Sequence, residues 1–371
     1  TPEIYTLSLH DALPISLAAL LVEAGARVSG VSMRIYRPRT GDDELPGNTC
    51  FGPGEVDNIA SSRKLCSSLG IPYIDIDLSD EYERLVLGYF REEYLHGRTP
   101  NPCIRCNQDI KFGFLIERAR QSGLDFDVFA TGHYARIENR NGVPMIRRAT
   151  DGAKDQSYFL YRLAPAVLSG IAFPLGGASK AHIRAEARRL GLAVAEKAES
   201  QDFVAGGYRI LFDTSTPGDI VDETGTVIGR HRGLQHYTIG QRRGVGVSTG
   251  PEALYVSAID GARNRIVVSH NSALFCDRIS GSDAVIHDPT LTETVFEGFV
   301  RIRQNHTPAR ASVLVRDGVA TIDFTEPQRA AAPGQSAVFY SDDGYVLGGC
   351  IIAGGENRHS QHPVDGGKST V

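Results

Sequence analysis

The chain predicts a doubly wound α/β domain, then a small central domain, then a C-terminal β-barrel. Three observations predict this. Helix-like and strand-like units alternate from Ser16 to about Gly206. Beyond that point Gly, Thr and β-branched residues dominate, with turn signals such as "DETG" at short intervals. From about Arg278 to Gly355 short strands recur with no helices between them, the pattern of a small closed barrel.

Each element has its own signal. "SLAALLVEAG" has helical spacing of apolar residues and stops at Gly25, and "RVSGVSMRIY" reads as a buried strand. "VDNIASSRKLCSSLG" is again helical, closed by Gly70, and "IPYIDIDL" is again a strand. A helix-rich stretch from Asp80 to about His96 follows, then a helix around "KFGFLIERARQSG" and a strand "FDVFATGHYARI". Strands spaced by helices pair in parallel, and such sheets bind ligands beyond the carboxyl ends of their strands. The loops after Tyr36 and Ala130 are therefore expected to face a site. The barrel strands are "AVIHD", "VFEGFVRIRQ", "ARASVLVR", "VATIDF", "SAVFYS" and "YVLGGCIIAGG". The expected divisions are 16–206, 207–276 and 277–355, with a polar, disordered tail over 356–371.

Bulk composition narrows the function classes. A chain of 371 residues exceeds one ordinary core. Hydrophobic content of 41% and charged content of 22% are globular values. No run of about 18 apolar residues is present, so no membrane span is predicted. No basic stretch followed by a short apolar segment and a small-residue cleavage site opens the sequence, which argues against secretion. Six cysteines are too few for a disulfide scaffold, so reduced thiols in a cytoplasm are expected. A net charge of −5 argues against bulk nucleic-acid affinity, but Arg147–Arg148, Arg230–His231–Arg232 and Arg242–Arg243 form local basic clusters.

The densest chemistry lies in "GRTPNPCIRCNQDIKF", Gly97 to Phe112. A C-x-x-C is half of a zinc site, but Cys50, Cys66, Cys276 and Cys350 are scattered singly and supply no second half. A redox pair opens a helix directly after a strand, whereas here a Pro-rich loop precedes it. What remains is a loop thiol used for chemistry, with Arg105 and Lys111 offering positive charge that favours thiolate.

That stretch is followed in order by "ATGHYARI", "KDQSYFLYRL", "ESQDFV", "PGDIVD…GTVIGRHRGLQHYTIGQRRGVGV" and "PGQSAVFY…VLGGCII". From about Ser16 to Gly355 the series resembles the bacterial tRNA-uridine 2-sulfurtransferases, the tRNA-specific 2-thiouridylases. The resemblance implies an N-terminal ATP-pyrophosphatase (PP-loop) domain and an enzyme of the cytoplasm that 2-thiolates uridine 34 of the tRNA anticodon. ATP with Mg2+ adenylates the base, a cysteine persulfide delivers sulfur, and AMP leaves. It implies Cys106 as nucleophile and Asn101, Pro102 and Cys103 at the target base. Met33 and Gly132 match ATP-contacting positions, and Ser16 the last serine of the phosphate loop. His133, Lys154, Asp155, Gln156, Arg303, Gln304 and Gln335 match tRNA-contacting positions, although relatives carry an aromatic where Gln304 stands. An upstream sulfur-donor protein is the implied second partner.

Two departures stand out. The S-G-G-x-D-S loop that cradles ATP phosphates has no counterpart in "TPEIYTLSLHDALPI", so residues 1–15 read as foreign sequence. The sheet is then expected to lack its first strand and phosphate loop, and to bind ATP poorly. Relatives also carry a second cysteine in an "SQDICF"-like stretch, whereas this chain reads "ESQDFVAGG". Either a deletion has removed that cysteine or the chain is a lineage variant. Cys103 then lines the pocket, resolves a persulfide as a sulfur-handling partner, or with Cys106 ligates an iron–sulfur cluster. The rival readings are a non-catalytic tRNA-binding relative and an ATP-pyrophosphatase acting on a small molecule.

Overall fold

The computed structural model describes residues 4–9, 12–38, 49–190, 202–204, 207–212, 214–247 and 252–357. The chain opens with β1 (Ile4–Ser8), α1 (Ala12–Glu23), β2 (Arg27–Arg34), β3 (Thr49–Phe51), α2 (Glu55–Leu69) and β4 (Tyr73–Asp77). A helical run follows, made of α3 (Ser79–Tyr82), a π-helical turn Glu83–Leu87 and α4 (Gly88–Leu95). A second run comprises α5 (Pro102–Arg105), a π-helical segment Cys106–Phe114 and α6 (Leu115–Gln121). Then come β5 (Val128–Ala130), β6 (Ala135–Arg140), β7 (Val143–Arg148), α7 (Pro165–Leu168), β8 (Ile171–Ala172), α8 (Lys180–Arg189) and β9 (Asp202–Val204).

The sheet has the order β4-β2-β1-β5-β8, every pairing parallel. This is the expected doubly wound architecture, with one correction. The sequence led us to expect no first strand, yet Ile4–Ser8 lies in the middle of the sheet, between β2 and β5. The physical reason is its content of Ile, Tyr, Thr and Leu, which suits a strand covered on both faces. Leu7 and Leu9 are fully buried, and the Thr6 and Ser29 hydroxyls meet at 2.9 Å, so the strand buries no unpaired hydroxyl there. The connection that would form a phosphate loop includes residues 10–11, outside the described residues. A second correction concerns "FDVFATGHYARI". It forms β5 and then, after a turn at Thr131–Tyr134, β6 of a separate hairpin with β7. The Ala135 N–H bonds back to the His133 carbonyl there (3.1 Å), turning the chain off the sheet.

The central domain pairs β10 (Gly218–Val221), β11 (Val227–His231), β12 (Tyr255–Asp260) and β13 (Arg265–Ser269) in the order β11-β10-β13-β12. The barrel is closed in the order β14-β17-β16-β15-β18-β19, from β14 (Phe275–Ile286), β15 (Phe296–Arg301), β16 (Ala309–Arg316), β17 (Val319–Arg329), β18 (Ser336–Tyr340) and β19 (Val346–Glu356). Closure leaves no bare strand edge. One core runs from the α/β domain into the barrel, joining Tyr158, Tyr161 and Phe203 to Val338, Tyr340 and Val346. The Tyr158 hydroxyl donates to the Ser336 carbonyl (2.9 Å) across that junction. The expected disordered tail lies mostly outside the described residues.

Candidate active site

The two thiols stand where α5 passes into the π-helical segment, at Cys103 and Cys106. Asn101 is extended (φ −113°, ψ 97°) and Pro102 takes the first helical position, where its missing N–H costs no bond. Three residues apart on a helix, the cysteines lie on one face. Both are half-buried, as is Cys50, whereas Cys66, Cys276 and Cys350 are buried.

All three domains hold this segment. Gly97 has φ +75°, and a Cβ there would sit 2.7 Å from the carbonyl oxygen of Ile259 in the central domain. From the barrel, the Pro333 carbonyl accepts from the Thr99 N–H (2.7 Å) and Gln335 Nε2 donates to the Thr99 carbonyl (2.9 Å). Gly334, at φ +90°, leaves room for that contact, since a Cβ would approach Thr99 N to 2.9 Å. Further along, buried Asn107 donates to the Phe159 carbonyl (3.2 Å), and Arg162 bridges Gln108 Oε1 (2.5 Å) and Asp283 (2.9 Å).

Electrostatics correct the expected thiolate. Burial pushes the Cys106 thiol up; Lys111 opposes this and Asp109 adds to it. Burial likewise raises Cys103, to about 11, with the neighbouring Cys106 adding to the rise. Arg105 is engaged elsewhere, 3.7 Å from Asp283 and 4.8 Å from the centre of the Tyr89 ring. Both sulfurs therefore rest as thiols.

Of the positions expected to face a nucleotide, Met33 lies on β2 and Gly132 just past β5, the two strands that flank β1. Gly132 is half-buried just past β5. Met33 is 1% exposed and packed into the core, so its side chain offers no open face. Ser16 falls within α1, and its side chain lies outside the described residues. His133 is buried between the rings of Phe112 and Phe173, each 5.7 Å away, with Nδ1 2.7 Å from the Thr131 hydroxyl. Burial first and Lys111 second push its pKa well down, so it is neutral at pH 7.

The other expected RNA contacts divide. Asp155 is 1% exposed and corrects the sequence reading: it faces inward. It accepts from the Ala149 N–H (3.0 Å), the Ser157 hydroxyl (3.0 Å) and Arg301 Nη1 (2.8 Å). A carboxylate so enclosed has no reach to an external phosphate. Gln156 Oε1 accepts from the Tyr134 N–H (2.9 Å), Gln304 Nε2 donates to the Asp155 carbonyl (2.7 Å), and Arg303 donates to the Arg329 carbonyl (3.1 Å). Lys154 is half-buried at the start of this loop. Of the basic clusters, Arg147 pairs with Glu138 (2.8 Å) and His231 is buried, while Arg230, Arg232, Arg242 and Arg243 are exposed on the central domain.

Sequence reasoning missed two residues. Glu55, at the start of α2, is buried and accepts from the N–H groups of Ile35 (2.9 Å) and Tyr36 (3.1 Å), fixing the loop after β2. Burial raises its pKa to about 7. Arg162 was the other, and no local pattern marked it. Among the described residues no group of three or more His, Cys, Asp or Glu side chains is placed to hold a metal ion.

Three family descriptions match in order: "tRNA methyl transferase HUP domain" over residues 15–205, "tRNA methyl transferase PRC-barrel domain" over 211–270 and "Aminomethyltransferase beta-barrel domain" over 277–352. The first match begins after β1. Curated relatives named tRNA-specific 2-thiouridylase MnmA include proteins of Endomicrobium trichonymphae (40% identical, 90% of this chain and 94% of that one) and Chloroflexus aurantiacus (44%, 91% and 94%). That of Roseiflexus sp. is 42% identical over 91% of this chain and 95% of its own.

Proposed function

Because this chain belongs to the tRNA-specific 2-thiouridylase family, we propose that it thiolates the 2-position of uridine 34 in tRNA, with Cys106 as the sulfur-bearing nucleophile. One observation carries the reading: the helical turn with Cys103 and Cys106 is fixed by bonds from the barrel and by close packing on the central domain. A thiol used as a nucleophile gains from such fixed placement.

ATP, as co-substrate, would turn the uridine 2-oxygen into an AMP leaving group, and everything else falls to the chain. Gly132, half-buried just past β5, leaves a small backbone edge for the nucleotide. Asn101 and Cys103 flank the position of the flipped base, which has to leave its stack to reach a thiol. Lys111 favours the anionic form of Cys106 against burial. Neutral His133 donates or accepts a hydrogen bond without adding charge. Exposed Arg230, Arg232, Arg242 and Arg243 suit phosphate contacts that orient a folded RNA. An upstream protein would load the sulfur onto Cys106, in the cytoplasm.

The test incubates the full chain with ATP, Mg2+, a persulfide source and unmodified tRNA, and digests the RNA for mass spectrometry. ATP-dependent 2-thiouridine that vanishes in Cys106→Ser supports the reading; none from the unsubstituted chain overturns it. A second reading, tRNA binding without catalysis, is favoured by one feature. The stretch Ser8-Leu9-His10-Asp11 between β1 and α1 contains no glycine. Tight tRNA binding with no measurable ATP binding would favour it.

A further inference from the structure

One barrel strand carries a backbone outlier whose side chain reaches the thiol helix. Among the described residues six that are not glycine have positive φ, and five of them lie between elements. Only Asp283, at φ +50°, sits inside one, the strand β14. Strand pairing gives the reason. Ser282 stands opposite Ile351 and Val285 opposite Gly349, so Asp283 and Ala284 together oppose Cys350 alone. This is a β-bulge, which re-aims a side chain away from the direction the regular pleat would give it. The bulge carries some strain, since side chains other than glycine seldom adopt that φ, although Asp tolerates it better than most.

The Asp283 carboxylate lies 2.9 Å from Arg162 Nη2 and 3.7 Å from Arg105 Nη2, and the Asp283 carbonyl accepts from Arg162 Nη1 (3.3 Å). Arg105 stands one residue before Cys106. Arg162 Nε donates at 2.5 Å to Oε1 of Gln108, two residues after Cys106. One barrel carboxylate thus holds the turn on both sides of the nucleophile, directly at Arg105 and through Arg162 at Gln108. The Tyr89 ring, centred 4.8 Å from the guanidinium of Arg105, limits where that side chain can swing. Stability does not account for this arrangement. The Asp283 side chain is 48% exposed, and ion pairs open to solvent add little to folding. Strain that returns so little stability marks a position kept for placement at a functional site.

Resting on the thiolation reading above, we propose that Asp283 is a positioning residue for Cys106, fixing the thiol turn through Arg105 and through the Arg162–Gln108 link. Asp283 itself meets neither the base nor the sulfur. Its effect falls on the chemical step, because a nucleophile misplaced by about 1 Å loses on the order of a hundredfold in rate. Docking of the RNA on other surfaces does not depend on it.

The test uses Asp283→Gly in the full chain, since glycine keeps the bulge at positive φ without strain and removes only the carboxylate. Single-turnover thiolation at saturating tRNA should fall by at least about tenfold, with the KM for tRNA unchanged within about twofold. Hydrogen exchange of the amides over 105–112 should quicken several-fold while that of β16 holds. Asp283→Asn keeps an acceptor oxygen and tolerates the same φ, so it should recover part of both effects. Gln108→Ala should slow the reaction less in the Asp283→Gly background than by itself, because the two residues lie on one path. An unchanged rate, a rate loss matched by a rise in KM, unchanged exchange over 105–112, full additivity with Gln108→Ala, or exchange quickening throughout the barrel overturns the proposal. Loosened exchange in Asp283→Gly beside an unsubstituted chain that thiolates no tRNA would instead count against the thiolation reading alone.

Discussion

Gln335 Nε2, on a loop of the barrel, donates to the carbonyl oxygen of Thr99 at 2.9 Å and lies 3.4 Å from that of Pro100, two residues before the helix of Cys103 and Cys106. The resemblance assigns Gln335 to RNA. Its amide nitrogen instead ties the thiol segment to the barrel. Replacing it with Ala should lower single-turnover thiolation by roughly tenfold, the scale of one lost positioning contact, while tRNA affinity stays within about twofold. A filter-binding titration beside a quench-flow assay separates these. An affinity loss with unchanged chemistry would return Gln335 to an RNA-contacting role.

Glu55 makes stability depend on pH. Its folded pKa is raised from 4.5 to about 7, so the folded state holds a proton that the unfolded chain has released. Stability should fall as pH rises between those values and stay level above. The total is up to roughly 3 kcal/mol, taken as the shift times 1.36 kcal/mol per unit. Urea unfolding at pH 5 and pH 8 should show the drop, and Glu55→Gln should flatten it. Equal slopes in both proteins would refute this.

Cys106 should alkylate more slowly at pH 7.5 than an unstructured cysteine, because burial disfavours its thiolate. Lys111→Met removes the opposing charge and should slow iodoacetamide labelling several-fold further. Peptide-resolved mass spectrometry over pH 7–10 reads both effects. Faster labelling in the variant would contradict the electrostatics.

Asp155 and Arg301 form an enclosed ion pair at 2.8 Å, their side chains 0% and 8% exposed. Arg301→Leu leaves the carboxylate without its main counter-charge and should cost about 3–5 kcal/mol of stability. The paired change Asp155→Asn with Arg301→Leu should recover part of it. A double-mutant cycle in urea shows whether the coupling is real.

Gly97→Ala combines a strained φ with a Cβ 2.7 Å from the Ile259 carbonyl. It should cost at least about 1 kcal/mol and depress thiolation more than Gly123→Ala, whose Cβ meets nothing within 4 Å.

Much of this architecture was legible in local pattern. "ARASVLVR" became β16 from Ala309 to Arg316 because its apolar residues alternate, and "SAVFYS" contains β18 because a short continuous apolar run between turns suits a fully buried strand. The C-x-x-C stretch was legible as a constrained segment behind Pro100 and Pro102 but was expected to be loop. Pro102 instead opens a helix that carries both cysteines, since a proline suits the first helical position. Less was legible where distant contacts decide. Nothing near Asp155 signals Arg301, 146 residues on, so a charged side chain in an RNA-like loop read as exposed. Ile4–Ser8 was missed since the missing glycine loop drew more weight than the strand character of Ile, Tyr and Thr. The place of β3 depends on its meeting β9, a pairing that spans some 150 residues and leaves no periodic trace.

The uninterrupted packing between Tyr158, Tyr161 and the barrel's Val338, Tyr340 and Val346 has a thermal consequence. Heating should melt both bodies together as a single calorimetric peak, and a protease nick inside the barrel should liberate no stable α/β fragment. Evolution could not then trade this C-terminal module for another without redesigning the floor on which the thiol helix rests.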